Sequence, residues 1–229
     1  MKYPLLLRAC MNNKFGTIHA YPGGHIYEAG FIFLDGEISM QFFDEIKNRW
    51  KDRMFICLSD VWERELLTSF PDMVCTQRYQ MVYSSDERVL YNLETYKDAI
   101  SPEYKCKRFE ENAYMMSPFH HGSNYNSYEN FKLNGSGFVV WDKEKIVSSA
   151  SSFLSYENEV ELDVSTLVDY RNKGLGIACC AEMLLDCMSR NIRVHWDAQN
   201  IASLHMAKKL GYSLECTYKA FSFVKPEQF

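Results

Sequence analysis

The chain has 229 residues, and 47% of them are hydrophobic, enough to bury the core of one large or two small domains. Its net charge of −5 argues against a nucleic-acid partner held by bulk charge, because binding to phosphate backbones normally needs a basic surface. The first apolar run, Leu5–Leu7, is too short for a signal-peptide core, and no later run approaches a membrane-spanning length. We therefore expect a cytoplasmic protein without a membrane partner.

The eight cysteines are scattered and form no C-x-x-C pair. We interpret them as small buried apolar residues, not as a disulfide framework. Cys179, Cys180 and Cys187 fall within one predicted helix, where packing is favoured over a reactive thiol.

The first half of the chain predicts an alternating α/β module. Its predicted elements are a strand at Phe31–Leu34, a helix at Ser39–Trp50, a strand at Met54–Leu58, a helix at Asp60–Phe70 and a strand at Gln77–Tyr83. Ser39 and Asp60 are the candidate N-caps of the two helices. The polar segment 84–103 follows, and we place a junction there between a domain of residues 1–95 and one of residues 96–229.

The second half predicts antiparallel hairpins followed by strand–helix–strand units, and hence an α/β fold on a mixed sheet. The predicted strands are Tyr104–Phe109, Gly137–Trp141, Ile146–Leu154, Glu159–Leu167, Ile192–Trp196 and Ser213–Val224, and the predicted helices are Ile177–Arg190 and Ile201–Leu210. Gly211 follows the last helix, where a left-handed residue is favoured.

The loop Arg171–Gly176 joins a predicted strand to a predicted helix, and we call it the glycine loop. Such a loop presents bare N–H groups beside the positive end of the helix dipole, which favours an anion. Gly174 and Gly176 lack Cβ atoms, so a phosphate can approach the backbone, and Arg171 and Lys173 add positive charge. A polyphosphate is the expected ligand; a plain tight turn is the alternative.

The segment Tyr104–Val224 resembles the GNAT superfamily of acyl-CoA-dependent N-acyltransferases. The glycine loop matches the R/Q-x-x-G-x-G/A signature of that superfamily. A second motif, N-x-x-S/A followed by K-L-G-F/Y, is matched by Asn200, Ser203, Lys209, Leu210, Gly211 and Tyr212. The stretch His195-Trp196-Asp197 and the long N-terminal half are most similar to a bacterial group of GNAT acetyltransferases with an extended N-terminal domain.

The resemblance implies acetyl-CoA as the co-substrate and no metal. It places the coenzyme A pyrophosphate at the glycine loop and the pantetheine arm along the strand that precedes it. The residues that it implies for cofactor binding are Val164, Ser165, Thr166, Arg171, Asn172, Lys173, Gly174, Leu175, Gly176, Ile177, Asn200 and Ser203.

The resemblance also implies that an amine attacks the thioester directly while both substrates are bound, with a backbone N–H of Val164–Thr166 stabilising the oxyanion. His195 is the first candidate for the base, because some members carry a glutamate base at this position and a histidine pKa of ~6.5 suits neutral pH. A strand histidine with a structural partner is the alternative.

Three further acidic residues are candidates near His195. Glu161 and Asp163 share one face of the predicted strand, either as alternative bases or as part of a solvated edge. Asp197 is a candidate for orienting His195 or for binding the substrate ammonium. The alternative is that it only begins the loop after the strand and has no catalytic role.

The chain departs from the pattern of many members at Ala207, where they place a tyrosine that protonates the departing thiolate. Other members have alanine there. Water, Tyr212 or Tyr218 are the remaining candidates for this proton, which leaves the general-acid step open.

The aromatic and histidine-rich stretch Tyr114–Phe131 corresponds to the region that shapes the acceptor pocket in the superfamily. The candidates for substrate contact are Phe119, His120, His121 and Tyr125, with Tyr114 and Tyr128, and packing is the alternative for each. The adjacent histidines do not predict a metal site, since neighbours in sequence point apart. The acceptor is expected to be a small-molecule amine or a peptide amine.

Two other functions and one hypothesis about the first half remain open. The second half is alternatively an acyl-CoA-binding module without turnover. A more remote alternative is a dinucleotide-dependent oxidoreductase, although Cys179 stands where the G-x-G-x-x-G motif of dinucleotide-binding proteins has its third glycine. The first half repeats the order of the second without an R-x-x-G-x-G loop, and it is hypothesised to be a degenerate copy.

Overall fold

The computed structural model describes residues 4–37, 40–83, 87–119 and 124–224. The helices described there are α1 (Leu5–Met11), α2 (Met40–Arg49), α3 (Asp60–Ser69), α4 (Glu87–Lys97), α5 (Glu111–Met116), α6 (Tyr128–Asn134), α7 (Leu175–Ser189) and α8 (Ile201–Lys209). The strands are β1 (Thr17–Tyr21), β2 (Gly24–Ala29), β3 (Phe31–Gly36), β4 (Phe55–Cys57), β5 (Val74–Tyr83), β6 (Tyr104–Arg108), β7 (Gly137–Asp142), β8 (Lys145–Tyr156), β9 (Glu159–Thr166), β10 (Arg193–Ala198) and β11 (Tyr212–Ser222). The predicted α/β fold on a mixed sheet is confirmed.

The chain divides into two compact units, one of Met1–Tyr79 with Cys216–Phe229 and one of Gln80–Glu215. Strands β5 and β11 each begin in one unit and end in the other. The predicted domain boundary between residues 95 and 96 stays a prediction.

The first unit is built on an antiparallel meander of β1, β2 and β3. Strand β3 pairs in parallel with β4, and the end of β11 lies antiparallel to β4 through Phe221 and Phe55. Trp50, directly after α2, and Trp62 of α3 belong to its core, where both are almost fully buried. Burial of these large side chains stabilises this unit.

The N-cap of α3 differs from the prediction. Ser59, not Asp60, precedes the helix, and its hydroxyl accepts a hydrogen bond from the Trp62 N–H at 3.4 Å. Asp60 is the first helical residue, where its carboxylate still favours the positive end of the dipole. The predicted cap Ser39 lies outside the described residues.

The second unit has the strand order β5-β10-β9-β8-β7-β6. Strands β6 to β9 are antiparallel, and β9 and β10 are parallel. Helix α7 packs against β7, β8 and β9 through a face of small residues. The prediction that the cysteines are buried is confirmed for Cys10, Cys179, Cys180 and Cys187. It is wrong for Cys75, which is exposed, while Cys57, Cys106 and Cys216 are partly exposed.

Helix α4 forms within the polar segment 84–103, for which the sequence predicts no regular element. Val89 and Leu93 are buried, with Leu93 at 0% exposure, and α4 packs on α7. Val89 and Leu93 are four positions apart, so they lie on the same face of the helix. Because polar residues occupy the other faces, the sequence shows no clear helical periodicity in this segment. Five further elements are also absent from the sequence prediction: α1, β1, β2, α5 and α6.

Candidate functional site

Helix α7 begins at the glycine loop, two residues earlier than predicted. Gly174 is its N-cap with φ 78° and ψ 0°, a left-handed conformation that glycine adopts without strain. In the described part of the chain no side chain caps this helix, so the N–H groups of its first turn remain open to an external acceptor. These N–H groups and the dipole of a 15-residue helix favour an anion such as a phosphate.

The two glycines of the loop have different surroundings. A Cβ atom at Gly174 would meet no atom within 4 Å, whereas one at Gly176 would lie 3.1 Å from the Thr166 hydroxyl. Gly174 therefore leaves room for a ligand beside the backbone. Gly176 instead lets α7 approach β9 closely. The sequence alone does not distinguish this packing role from the ligand-binding role of Gly174.

The two basic residues of the loop are held beside it. Arg171 is exposed, and its Nε donates a hydrogen bond to the Thr166 carbonyl at 3.2 Å. The Lys173 ammonium lies 4.9 Å from the centre of the Tyr170 ring and 3.4 Å from the Tyr104 hydroxyl. Both positive charges are therefore placed near the start of α7, where they add to the dipole.

Tyr170 lies between two ammonium groups, those of Lys173 and Lys145, the second at 5.3 Å from its ring centre. Its hydroxyl donates a hydrogen bond to Asp142 at 2.9 Å, and this bond raises the pKa of Tyr170. The ring is thus a neutral surface for cation–π contacts at neutral pH. The sequence does not predict this arrangement, because it is the hairpin of β7 and β8 that brings Asp142 and Lys145 to Tyr170.

Strands β9 and β10 pair over a short length. Their register runs from Arg193 opposite Glu159 to His195 opposite Glu161. Strand β9 continues to Thr166 and β10 to Ala198, with no further pairing between them in the described residues. We call this opening, bordered by residues 162–166 and 196–198, the strand gap.

Two backbone N–H groups of β9 point into the strand gap. The Leu167 N–H donates to the Val147 carbonyl at 2.9 Å, so the backbone groups of Leu167 face β8. Along an extended strand these groups alternate in direction, and Ser165 therefore also faces β8. The N–H groups of Val164 and Thr166 are directed to the other side, where an extended ligand can pair with them.

His195 lies at the last paired position, where the strand gap begins. Its Nε2 is 2.9 Å from a carboxylate oxygen of Glu159, whose other oxygen lies 3.4 Å from Arg193. The side chains of His195 and Glu159 are 22% and 15% exposed. The sequence alone does not identify Glu159 as this partner, because the pairing depends on the register of β10 against β9.

The predicted acidic residues Glu161, Asp163 and Asp197 share this face of the sheet. Glu161 is opposite His195 and only 8% exposed, and Asp197 lies two residues further along β10. In parallel strands, residues at alternate positions project to one face. The structure therefore brings His195, Glu159, Glu161 and Asp197 to one side of the strand gap.

The residues of the second motif make structural contacts at the start of α8. The Asn200 side chain caps the helix by accepting from the Ser203 N–H at 2.9 Å. The Ser203 hydroxyl accepts from the Trp196 indole at 3.0 Å. These bonds fix the start of α8 beside the end of β10, which borders the strand gap.

Ala207 and Tyr212 limit the choice of a general acid. Ala207 is fully buried on α8. Tyr212 is buried, its hydroxyl donates to the Val194 carbonyl at 3.1 Å, and burial raises its pKa well above the usual value. That proton is therefore poorly available. Tyr218, the other candidate, belongs to the first unit.

The predicted substrate residues Phe119 and Tyr125 lie in a cluster of aromatic side chains. Tyr125 is 9% exposed and its hydroxyl donates to the Ser152 hydroxyl at 2.8 Å, while Phe119 packs at the edge of the cluster. His120 and His121 lie outside the described residues. Tyr114 and Tyr128 pack against Phe131 in the same cluster.

No group of three or more histidine, cysteine, aspartate or glutamate side chains suited to a metal ion occurs in the described ranges. Within the same ranges, no helix combines the length and the apolar character needed to cross a membrane.

Comparison with known proteins points to one family. The family model described as GNAT acetyltransferase matches residues 5–221. The Bacillus subtilis (strain 168) protein named Uncharacterized N-acetyltransferase YdfB is 24% identical over 209 residues, which cover 85% of this chain and 78% of that protein.

Two solved structures extend this similarity. A GCN5-related N-acetyltransferase-like protein from Streptococcus suis 89/1591 matches with a TM-score of 0.87 and 26% identity over 96% of this chain and 93% of that chain. A GCN5-related N-acetyltransferase from Kribbella flavida has a TM-score of 0.57 and 11% identity over 94% and 91%, a similarity in fold.

Proposed function

Since the chain belongs to the GNAT acetyltransferase family, whose model matches residues 5–221, we propose that this acetyltransferase moves an acetyl group from acetyl-CoA to a primary amine. The amine attacks while both substrates are bound. The observation that carries this proposal is the strand gap, which opens beside the uncapped start of α7.

In the proposed complex, the coenzyme A pyrophosphate binds the N–H groups of Leu175, Gly176 and Ile177 at the start of α7. The open space at Gly174 supports this placement, and Arg171, Asn172 and Lys173 complete the loop around the phosphates. The pantetheine arm enters the strand gap and pairs with β9 along Val164, Ser165 and Thr166. Asn200 and Ser203 fix the far border of the gap.

We assign the amine deprotonation to His195. The amine nitrogen forms a bond to the thioester carbon, its proton passes to His195, and the carbon–sulfur bond breaks to release the coenzyme A thiolate. Glu159 stabilises the imidazolium that results, because it already contacts Nε2 at 2.9 Å. Glu161 and Asp197 lie on the same face, where their charge favours the approach of an ammonium substrate.

The oxyanion of the tetrahedral intermediate is proposed to accept a hydrogen bond from a β9 N–H directed into the strand gap. Solvent water protonates the thiolate, since Ala207 has no acidic group and the Tyr212 proton is held by the Val194 carbonyl.

The acceptor amine, of a small molecule or a peptide, is proposed to contact the segment that includes Phe119, His120, His121 and Tyr125. Residues 1–95 are proposed to form a domain separate from residues 96–229. Limited proteolysis with mass mapping of the stable fragments tests this division; cleavage elsewhere would contradict it.

The decisive experiment follows thiol release from acetyl-CoA with a panel of primary amines, including polyamines, aminoglycosides and peptide N-termini. We expect turnover with at least one amine. Coenzyme A binding by calorimetry without turnover on any amine would favour a non-catalytic acyl-CoA-binding module, a second candidate that buried Ala207 supports. Binding of NAD instead of coenzyme A would contradict both.

A further inference from the structure

A cavity of about 450 Å³ lies in the second unit against β6 and β7. Its lining residues are Lys105, Lys107, Met116, Trp141, Lys143 and Glu144, and we call it the lysine pocket. None of them belongs to the glycine loop or borders the strand gap. A cavity of this volume suits a small molecule.

The lysine pocket is positively charged in a protein whose net charge is −5. Lys105, Lys107 and Lys143 contribute three ammonium groups, and Glu144 contributes one carboxylate. Within the described residues, none of the three ammonium groups takes part in an ion pair or a hydrogen bond. These charges are free to bind an anion, and their excess over Glu144 matches an anion with two negative charges.

One wall of the pocket is flat and apolar. Lys105 pairs with Trp141 across β6 and β7, and antiparallel partners project to the same face. Trp141 is partly exposed, and Met116 is 65% exposed. An indole ring favours stacking with a flat ligand, and a methionine side chain adapts to its outline.

We propose that the lysine pocket binds a small molecule in which an aromatic ring carries a doubly charged anionic group such as a phosphate monoester. The ring stacks on Trp141 and the anion lies among the three lysines. This site is separate from the proposed acetyl-CoA site, and its test does not depend on acetyl transfer.

A competing explanation is that the lysines only protect a sheet edge. Strand β6 is at the end of the strand order, and exposed lysines on such a strand discourage pairing with other chains. That role requires no affinity for a small anion. Ligand binding therefore separates the two explanations.

The first experiment titrates the full chain with phenyl phosphate, whose second pKa of about 6 makes it a dianion at pH 7.5. Tryptophan fluorescence reports binding, because Trp50, Trp62 and Trp196 are at most 3% exposed and only Trp141 can be contacted. We expect phenyl phosphate to bind at least tenfold more tightly than inorganic phosphate or phenol, with weaker binding at high salt. Saturating coenzyme A leaves this affinity unchanged.

Variants then locate the site. The double variant Lys105→Ala/Lys107→Ala is expected to weaken binding at least tenfold, and Lys132→Ala, an exposed lysine of the same unit outside the pocket, leaves it unchanged. Lys143→Gly is expected to weaken binding without lowering Tm, because Lys143 has φ 54° and glycine adopts that conformation more readily.

Three results would overturn the proposal. The first is no binding of phenyl phosphate, and the second is binding that the double variant and Lys132→Ala change equally. The third is displacement of phenyl phosphate by coenzyme A, which would assign the binding to the glycine loop.

Discussion

At the scale of single residues, the proposed mechanism depends on the contact between His195 and Glu159. A carboxylate beside an imidazole favours the protonated ring, because the opposite charges attract. Such a pair suits a base that must hold a proton after the amine attacks. Arg193 lies 3.4 Å from the other oxygen of Glu159.

His195→Ala is expected to lower kcat about 10²- to 10⁴-fold, the usual contribution of general acid–base catalysis, and to remove the acid limb of the pH–rate profile. Thiol-release kinetics between pH 5.5 and 9 measure both effects. His205→Ala is the matched control, since His205 is an exposed histidine of α8. An unchanged pH profile in His195→Ala would show that another group is the base.

Glu159→Gln is expected to lower kcat, since the neutral amide cannot stabilise the imidazolium that forms when His195 accepts the proton. The KM for acetyl-CoA stays unchanged, because Glu159 lies outside the glycine loop. Thiol-release kinetics measure both constants. A variant whose KM for acetyl-CoA rises while kcat stays unchanged contradicts this positioning role.

At the scale of elements, α4 shows how a segment without an evident pattern becomes part of the core. Leu93 is fully buried, whereas Tyr91, two residues before it, is 74% exposed. The helix packs one narrow side on α7 and leaves the rest to solvent. Its stability therefore depends on tertiary contact, as for most short helices.

Leu93→Ala is expected to destabilise the protein by about 2–5 kcal/mol, because it removes a fully buried leucine and leaves a cavity. Tyr91→Ala on the same helix should change the free energy of unfolding by less than about 0.5 kcal/mol. Urea unfolding followed by circular dichroism compares the two. Equal losses in the free energy of unfolding for the two variants would mean that α4 does not pack on α7 through Leu93.

Helix α7 ends in a charged cluster around Asp186. Its carboxylate accepts hydrogen bonds from Arg108, from the Ser136 hydroxyl at 2.7 Å and from Arg190 at 3.3 Å. Burial by itself would raise the pKa of Asp186, but the bonds from Arg108 and Ser136 outweigh it and lower the pKa. The cluster joins the end of α7 to β6 and to the start of β7.

Asp186→Asn is expected to cost about 1–3 kcal/mol at pH 7, since the neutral amide leaves charged donors without their acceptor. A lowered folded-state pKa contributes stability above the ordinary aspartate pKa of ~3.9 and loses it as pH falls through the folded value. The difference between natural protein and variant should therefore shrink in acid. Urea unfolding at pH 7 and pH 3 measures it, and a difference independent of pH contradicts the assignment.

At the scale of the whole molecule, the two units repeat one order of elements. The first has β1, β2 and β3, then α2 and the parallel strand β4, and the second has β7, β8 and β9, then α7 and the parallel strand β10. The order favours the hypothesis that the first half is a degenerate copy without the glycine loop. A superposition of the two units that matched other strands would contradict it.

Ligand binding should stabilise the whole protein through the second unit. Coenzyme A at 100 times its Kd adds about 2.7 kcal/mol to the free energy of unfolding, seen as a higher Tm. The double variant Arg171→Ala/Lys173→Ala is expected to lose most of that shift at equal ligand concentration, whereas Lys208→Ala on α8 keeps it. Differential scanning calorimetry measures these shifts; an unchanged shift in the double variant contradicts the placement of the pyrophosphate.

The sequence by itself determined the features that depend on local chemistry. Glycine at positions 174 and 176, the basic residues around them and the Asn200 motif indicated the family, which the family model confirms. The strands with consecutive apolar residues were also predictable, as was the left-handed conformation of Gly211, which has φ 95°. Each follows from the conformational preference of a few neighbouring residues.

Only the tertiary structure decided which distant residues meet. The partner of His195 follows from the register of β10 against β9, and the separate roles of Gly174 and Gly176 follow from the distance between α7 and β9. The burial of Leu93 and the lysine pocket likewise depend on elements far apart in the chain. Sequence patterns encode which face of an element is apolar, but the register and packing that bring two faces together are set by the fold as a whole.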